Sequence, residues 1–221
     1  MDKMMKQEID KNNFIALIQK KEFDKNRFVD KILTDRVCRN LSVDNMMEHP
    51  QIMVYYHCYE VLKEATKTES GKFENYKDRF AALLRHGNSY HRNFGLSLLS
   101  NLISGSKKMD FHEFSQDYFA CLNDIKMMTA ECCLKNLKQI IKSRKEYTGV
   151  ITEEVMQADN FLRYKKKQQE LIYSFVIELL EEAFENGFCR DQIFEYVSGK
   201  RESISPKTKK MANQLHKRLA V

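Results

Sequence analysis

Four apolar residues recur at one fixed distance along this 221-residue chain. Phe73, Tyr76, Phe80 and Leu84 reappear as Phe111, Phe114, Tyr118 and Leu122, each shifted by 38 residues. Within each set most steps are three or four residues, so each set marks one face of a helix. Four matched positions at a constant offset are hard to obtain by chance, and they restrict the fold more than any other feature of the chain.

A second phrase alternates with the first. A small residue is followed by an apolar residue three on and another four further, as Gly95, Leu98, Leu102, as Ala130, Cys133, Leu137 and as Ala212, Leu215, Leu219. Cys58, Val61, Ala65 is a looser copy. The small residues lie 37, 35 and 82 positions apart, the last interval leaving room for one longer unit. A small residue lets one helix approach its neighbour closely while the larger pair fills the groove beyond. A period of roughly 33 to 47 residues with two helices per unit is the signature of an α-solenoid.

On these residues the chain resembles HEAT-like (ARM-type) helical repeat proteins, from about Pro50 to Arg144 and again from Ser205 to Leu219. Such proteins often carry a basic residue shortly before the small one, and Arg92 and Lys209 stand three residues before Gly95 and Ala212. The resemblance implies an all-α superhelix, a right-handed solenoid of antiparallel helix pairs, and a binding surface rather than an activity. A HEAT-like family of DNA glycosylases surrounds a catalytic Asp with tryptophans. This chain has no Trp, and glycosylase activity is not expected.

With only 7 Gly and 2 Pro there is little punctuation for strands and hairpins, so the chain should be nearly all α. One domain over residues 1–221 is expected: capping helices over 1–48, repeats over 49–200 and a basic C-terminal helix over 201–221. The spacing predicts helices over 7–20, 23–40, 73–86, 126–144, 168–186 and 190–197, and one from Asp110 to about Leu122. Another should run from Pro50, as a first-turn proline, to about Lys67. Asn88 or Ser89, the Asp110 with Glu113 pair and Ser205 before Pro206 are N-terminal signals. Tyr147 to Gly149 and Asn186-Gly187 read as stops.

The N-terminus has no apolar core of a signal peptide. The segment Leu171 to Phe188 carries Glu178, Glu181, Glu182 and Glu185, so it reads as an amphipathic helix and no membrane is expected as a partner. The six cysteines form no C-x-x-C pair and read as buried thiols in a reducing cytoplasm.

Of the net charge of +6, five units fall in residues 201–221, carried by Arg201, Lys207, Lys209, Lys210, Lys217 and Arg218. This helix could meet phosphates, or simply be a solvated face. The run Arg163, Lys165, Lys166, Lys167, with Tyr164 among them, could add to a nucleic-acid surface or be a charged turn before a long helix. The loop His86, Asn88, Ser89, Tyr90, His91, Arg92 is the densest polar cluster, yet it matches no metal or nucleophile signature and suits helix capping. His112 with Glu113 reads as an exposed helix face.

The expected function is a non-enzymatic scaffold that binds a protein along a concave surface, with no cofactor, metal or small-molecule substrate. Lys77, Arg79, Glu113 and Gln116 are the expected contacts. A nucleic-acid-binding protein using Arg163, Lys165, Lys166, Lys167, Lys207, Lys209, Lys210, Lys217 and Arg218 is the alternative.

Overall fold

The computed structural model describes residues 8–157 and 161–220, and among them every regular element is a helix, with no strand. The chain divides into two compact units, Met1–Asp78 and Arg79–Val221.

The first unit holds α1 (Phe14–Ile18), α2 (Lys25–Thr34), α3 (Arg36–Glu48), α4 (Ile52–Thr68) and a 3-10 turn over Ser70–Tyr76. Helix α4 is the longest of these, and α1, α2, α3 and the 3-10 turn each pack on it. The helix expected over 23–40 is interrupted at Asp35, whose extended backbone lets its carboxylate accept the amides of Val37 at 2.8 Å and Cys38 at 3.2 Å. Arg39 then donates to the last carbonyls of α2, those of Ile32 and Leu33, both at 2.9 Å. A single acidic cap with an arginine behind it thus makes two helices where the apolar stripe alone reads as one. Likewise the helix expected from residue 7, which lies outside the described residues, begins only at Phe14. Pro50 precedes the N-cap Gln51 instead of entering the first turn.

In the second unit, α5 (Lys77–Leu83) crosses in from the first. It is followed by α6 (Ser89–Gly105), α7 (Ser115–Ala120) between 3-10 turns at Phe111–Glu113 and Cys121–Asn123, and α8 (Met127–Ser143). After a turn at Lys145–Tyr147 come α9 (Thr148–Val155), α10 (Lys166–Glu185), α11 (Arg190–Ser198) and α12 (Pro206–Leu219). Tyr147 to Gly149, expected as a stop, instead leads into α9. Asn186-Gly187 does stop α10: Gly187 at φ +89° lets the Phe188 amide reach the Ala183 carbonyl at 3.0 Å and its own amide reach Phe184 at 2.9 Å, a Schellman closure. Asn88 caps α6 through the Tyr90 amide, Asp110 caps the turn before α7, and Ser205 caps α12 with Pro206 in its first turn.

Helices α6, α8, α10 and α12 lie side by side, each packed on the next. They run parallel, because the partners advance together. Between α6 and α8 and the residue that follows it, Cys132 reaches the Asn93 carbonyl, Ser100 donates to Asn136, Gln139 to Asn101, and Arg144 to Ile103. Between α8 and α10, Lys135 meets Phe175 and the Ile141 carbonyl accepts from Asn186. Between α10 and α12, Thr208 donates to the Glu170 carbonyl and Arg218 pairs with Glu185.

The 38-residue offset is reproduced in this row. Helices α4, α6 and α8 are each 17 residues long, and α8 starts 38 residues after α6. Seven of the eight residues in the apolar set are buried; Tyr76 is half-buried. The small residue stands seventh in α4, α6, α8 and α12, as Cys58, Gly95, Cys133 and Ala212. The equivalent of Gly95 is therefore Cys133 and not Ala130. A slip of three residues keeps the same helix face, which is why the sequence alone misplaces it.

Gly95 sits where α6 crosses α5: a Cβ there would lie 2.8 Å from the Phe80 carbonyl oxygen and 2.9 Å from Leu83 Cβ. Gly95→Ala should therefore destabilise the chain by about 1–3 kcal/mol through overpacking. Gly149→Ala, in α9 with nothing within 4 Å of the new atom, should be neutral or stabilising by up to about 1 kcal/mol. Urea unfolding midpoints of the two variants check the contrast; equal midpoints would remove the close approach as an explanation.

Candidate interaction surface

The row of parallel helices brings one aromatic side chain between two cations. Phe175, on the exposed side of α10, has the Lys135 ammonium of α8 at 5.0 Å from its ring centroid and the Lys207 ammonium of α12 at 4.3 Å. Each cation is also held by a carboxylate of a helix in the row, Lys135 by Glu131 at 2.5 Å and Lys207 by Glu178 at 3.0 Å. Leu171, one turn before Phe175, is exposed as well. The face over α8, α10 and α12 thus combines an apolar centre with charges of both signs.

Three of the six C-terminal basic residues, Lys207, Lys209 and Arg218, are already engaged by carboxylates. Lys209 pairs with Glu202 at 2.8 Å, and Arg218 with Glu185 at 2.5 Å and Glu181 at 3.5 Å. Lys210 and Lys217 are exposed and make no ion pair among the described residues. In the run before α10, Lys166 pairs with Glu170 at 2.6 Å while Arg163, Lys165 and Lys167 are exposed. Tyr164 is buried, its hydroxyl donated to the Asp124 carbonyl, so it is no stacking platform.

Glu170 is the anchor of this end. Its carboxylate accepts from Ser203 Oγ at 2.6 Å as well as from Lys166. Burial works against its charge, but the Lys166 and Ser203 hydrogen bonds outweigh that and hold the carboxyl below its ordinary value of 4.5. Because the folded value is the lower one, the stabilisation is complete above about pH 4.5 and is lost as the pH falls through the folded value. Acid unfolding of wild type followed by helical circular dichroism should therefore begin at higher pH than the same titration of Glu170→Gln extrapolated from its own neutral baseline would show. Parallel acid limbs would argue against that role.

Of the other expected contacts, Arg79 lies on α5, Gln116 on α7, Glu113 in the turn before it, and Lys77 opens α5. None of the four is on α6, α8, α10 or α12. The loop at 86–92 is structural: Asn88 caps α6, the His86 and His91 rings stack at 4.3 Å, and Arg92 is buried against Asp124. The cysteines are free thiols, four of them buried; burial pushes the Cys121 thiol up to about 12 and, helped by Asp35, the Cys38 thiol up to about 11. Among the described residues no group of His, Cys, Asp and Glu could hold a metal ion, and no helix is long and apolar enough to cross a membrane. An open cleft of ≈ 420 Å3 is lined by Glu153, Met156, Gln157, Gln192, Glu195 and Tyr196.

The Phe175 arrangement was not singled out from the sequence. Its signal is a half-exposed aromatic on a long helix flanked by lysines that are 32 and 40 residues away, a spacing readable only once the helices are known to be neighbours.

No family model matches the chain, and no curated protein matches it in sequence. Among solved structures it is similar to the crystal structure of an engineered protein, with a TM-score of 0.53 and 10% identity over 93% of this chain and 87% of that one. At that identity the likeness concerns the fold alone.

Proposed function

We propose that the chain is a HEAT-like (ARM-type) helical-repeat scaffold, a right-handed α-α superhelix of antiparallel helix pairs, that binds a protein segment and catalyses no reaction. The parallel row with its 38-residue repeat supports the superhelix. The observation that carries the binding reading is Phe175 held between Lys135 and Lys207 with Glu131 and Glu178 beside them. A half-exposed aromatic framed by charges of both signs suits a peptide that brings an apolar side chain and its own charges. A phosphate backbone would have to displace the carboxylates from Lys207, Lys209 and Arg218, which favours protein over nucleic acid. The unpaired thiols suit a reducing compartment such as the cytoplasm.

The test is affinity capture on immobilised wild type beside Phe175→Ala, with labelled single- and double-stranded DNA and RNA titrated at low and moderate salt. A protein retained by wild type should bind the variant more weakly by about 2 kcal/mol or more. Retention unaffected by Phe175→Ala would overturn the site. Nucleic-acid binding that falls steeply with salt and is lost on Lys207→Glu/Lys209→Glu/Lys210→Glu would overturn the class of partner.

A further inference from the structure

Of the six large apolar side chains that the second unit leaves in solvent among the described residues, five lie at helix N-terminal ends and the sixth, Leu171, on the Phe175 face. Tyr90 is the second residue of α6, Ile125 and Met128 flank the start of α8, Leu162 precedes α10 by four residues, and Ile204 precedes α12 by two. All five are 56 to 71% exposed. Because the four helices are parallel neighbours, their N-terminal ends follow one another along a single edge, roughly 30 Å long at the usual spacing of packed helices. Exposure at the starts of successive parallel helices is a property of the edge rather than of one loop.

The edge is also cationic. Lys126 opens α8, Arg163, Lys165 and Lys167 surround the start of α10, and Lys210 lies in the first turns of α12; all are exposed. The carboxylates near them are spoken for: Asp124 by Arg92, Glu170 by Lys166 and Ser203, and Glu202 by Lys209. The positive ends of four helix dipoles add to the same sign. Four of the five apolar residues are aliphatic, so the edge offers no platform for stacking bases. None of the five lines the cleft beside Tyr196, and Ile125 and Leu162 are next in sequence to the exposed cations Lys126 and Arg163. Separate aliphatic tips interleaved with lysines match a deformable anionic surface, which needs no complementary shape and takes apolar side chains a short way below its charged headgroups.

We propose that this edge docks on the surface of an anionic lipid bilayer, with Tyr90, Ile125, Met128, Leu162 and Ile204 entering the interface and the lysines facing the headgroups. Docking of this kind requires no spanning helix. It uses a different surface from the Phe175 face, which lies along the row and stays open to a protein partner.

The experiment is co-sedimentation of the full chain with vesicles of phosphatidylcholine alone and of phosphatidylcholine mixed with phosphatidylserine, at low and moderate salt. Binding should require phosphatidylserine and weaken as salt rises. The variant Ile125→Ser/Met128→Ser/Leu162→Ser should lose roughly tenfold or more in vesicle affinity. Its unfolding midpoint should be unchanged, since the three side chains are in solvent. Lys165→Ser/Lys167→Ser/Lys210→Ser should lose the preference for anionic vesicles. No sedimentation with anionic vesicles at low salt would overturn the proposal, and so would equal binding by the apolar variant. A concentration-dependent dimer of wild type, abolished in the apolar variant, would assign the edge to a second copy and overturn it as well. None of these readouts changes with Phe175→Ala, so this proposal and the protein-binding one fail separately.

Discussion

Arg92→Met should lower the unfolding free energy by about 3–5 kcal/mol, while Arg85→Met should change it by less than about 1 kcal/mol. Both arginines pair with an aspartate 32 residues on, Arg92 with Asp124 at 2.6 Å and Arg85 with Asp117 at 2.7 Å. The difference is water. The Arg92 and Asp124 side chains are 9 and 8% exposed, those of Arg85 and Asp117 74 and 25%. Arg92 engages both carboxylate oxygens, Nε at 2.6 Å and Nη2 at 2.8 Å, and its Nη1 donates to the carbonyls of His86 and Gly87. Asp124 in turn accepts the Lys126 amide at 2.7 Å ahead of α8. Removing the guanidinium strands a carboxylate away from solvent and orphans two loop carbonyls, a much larger loss than an exposed pair can supply. Arg92→Met/Asp124→Leu should recover part of the loss, because no uncompensated charge remains, though the contact to the Lys126 amide is still missing. Urea titrations of the variants, read by helical circular dichroism, decide it. If Arg92→Met and Arg85→Met cost the same, the Arg92 pair is not dry and the loop before α6 is held by something else.

How far the sequence could be read follows from what each signal depends on. Helices α6, α8, α10, α11 and α12 fall within a few residues of where apolar period and caps put them, because both signals are local. The break at Asp35 was missed because an apolar stripe continues through it on both sides; only the carboxylate's choice of the Val37 and Cys38 amides separates α2 from α3. The equivalence of Gly95 and Cys133 was missed by one turn because a helix face is nearly unchanged by a shift of three. Arg92 was legible as a basic residue before the small one, but its aspartate, 32 residues away, was not, since nothing in a single sequence says that two loops meet. The same holds for Phe175 with its two lysines and for the apolar edge. Their residues lie in elements dozens of positions apart, and single exposed Ile, Met or Leu residues in loops carry no pattern until parallel packing lines them up. The basic C-terminal helix was visible as charge, whereas the pairing of Lys207 with Glu178, Lys209 with Glu202 and Arg218 with Glu181 and Glu185 is a fact of packing.

Tyr118→Ala should cost about 3–5 kcal/mol, and Tyr118→Phe only about 1 kcal/mol. Tyr118 is fully buried on α7, edge-on to Phe111 at 5.7 Å. Its hydroxyl donates to the Leu96 carbonyl of α6 at 2.8 Å, and its own carbonyl accepts from Cys133 Sγ of α8 at 3.3 Å. One residue therefore joins α7 to both long helices, through its hydroxyl to α6 and its main-chain carbonyl to α8, and truncating the buried ring opens a cavity beside α6. Phenylalanine keeps the ring and forfeits one hydrogen bond. The chain makes that substitution itself, since Phe80 holds the equivalent place one unit earlier and is also fully buried. Burial pushes the Tyr118 phenol well above its ordinary value of 10.0. The neutral form is the one that folds, so its contribution is complete below pH 10 and is lost as the pH rises beyond it. Wild type should accordingly lose stability above about pH 10 while Tyr118→Phe loses less, a crossing that separate denaturation series at neutral and alkaline pH would reveal. A Tyr118→Phe variant as damaged as Tyr118→Ala would mean that the hydroxyl, and not the ring, holds α6 in place.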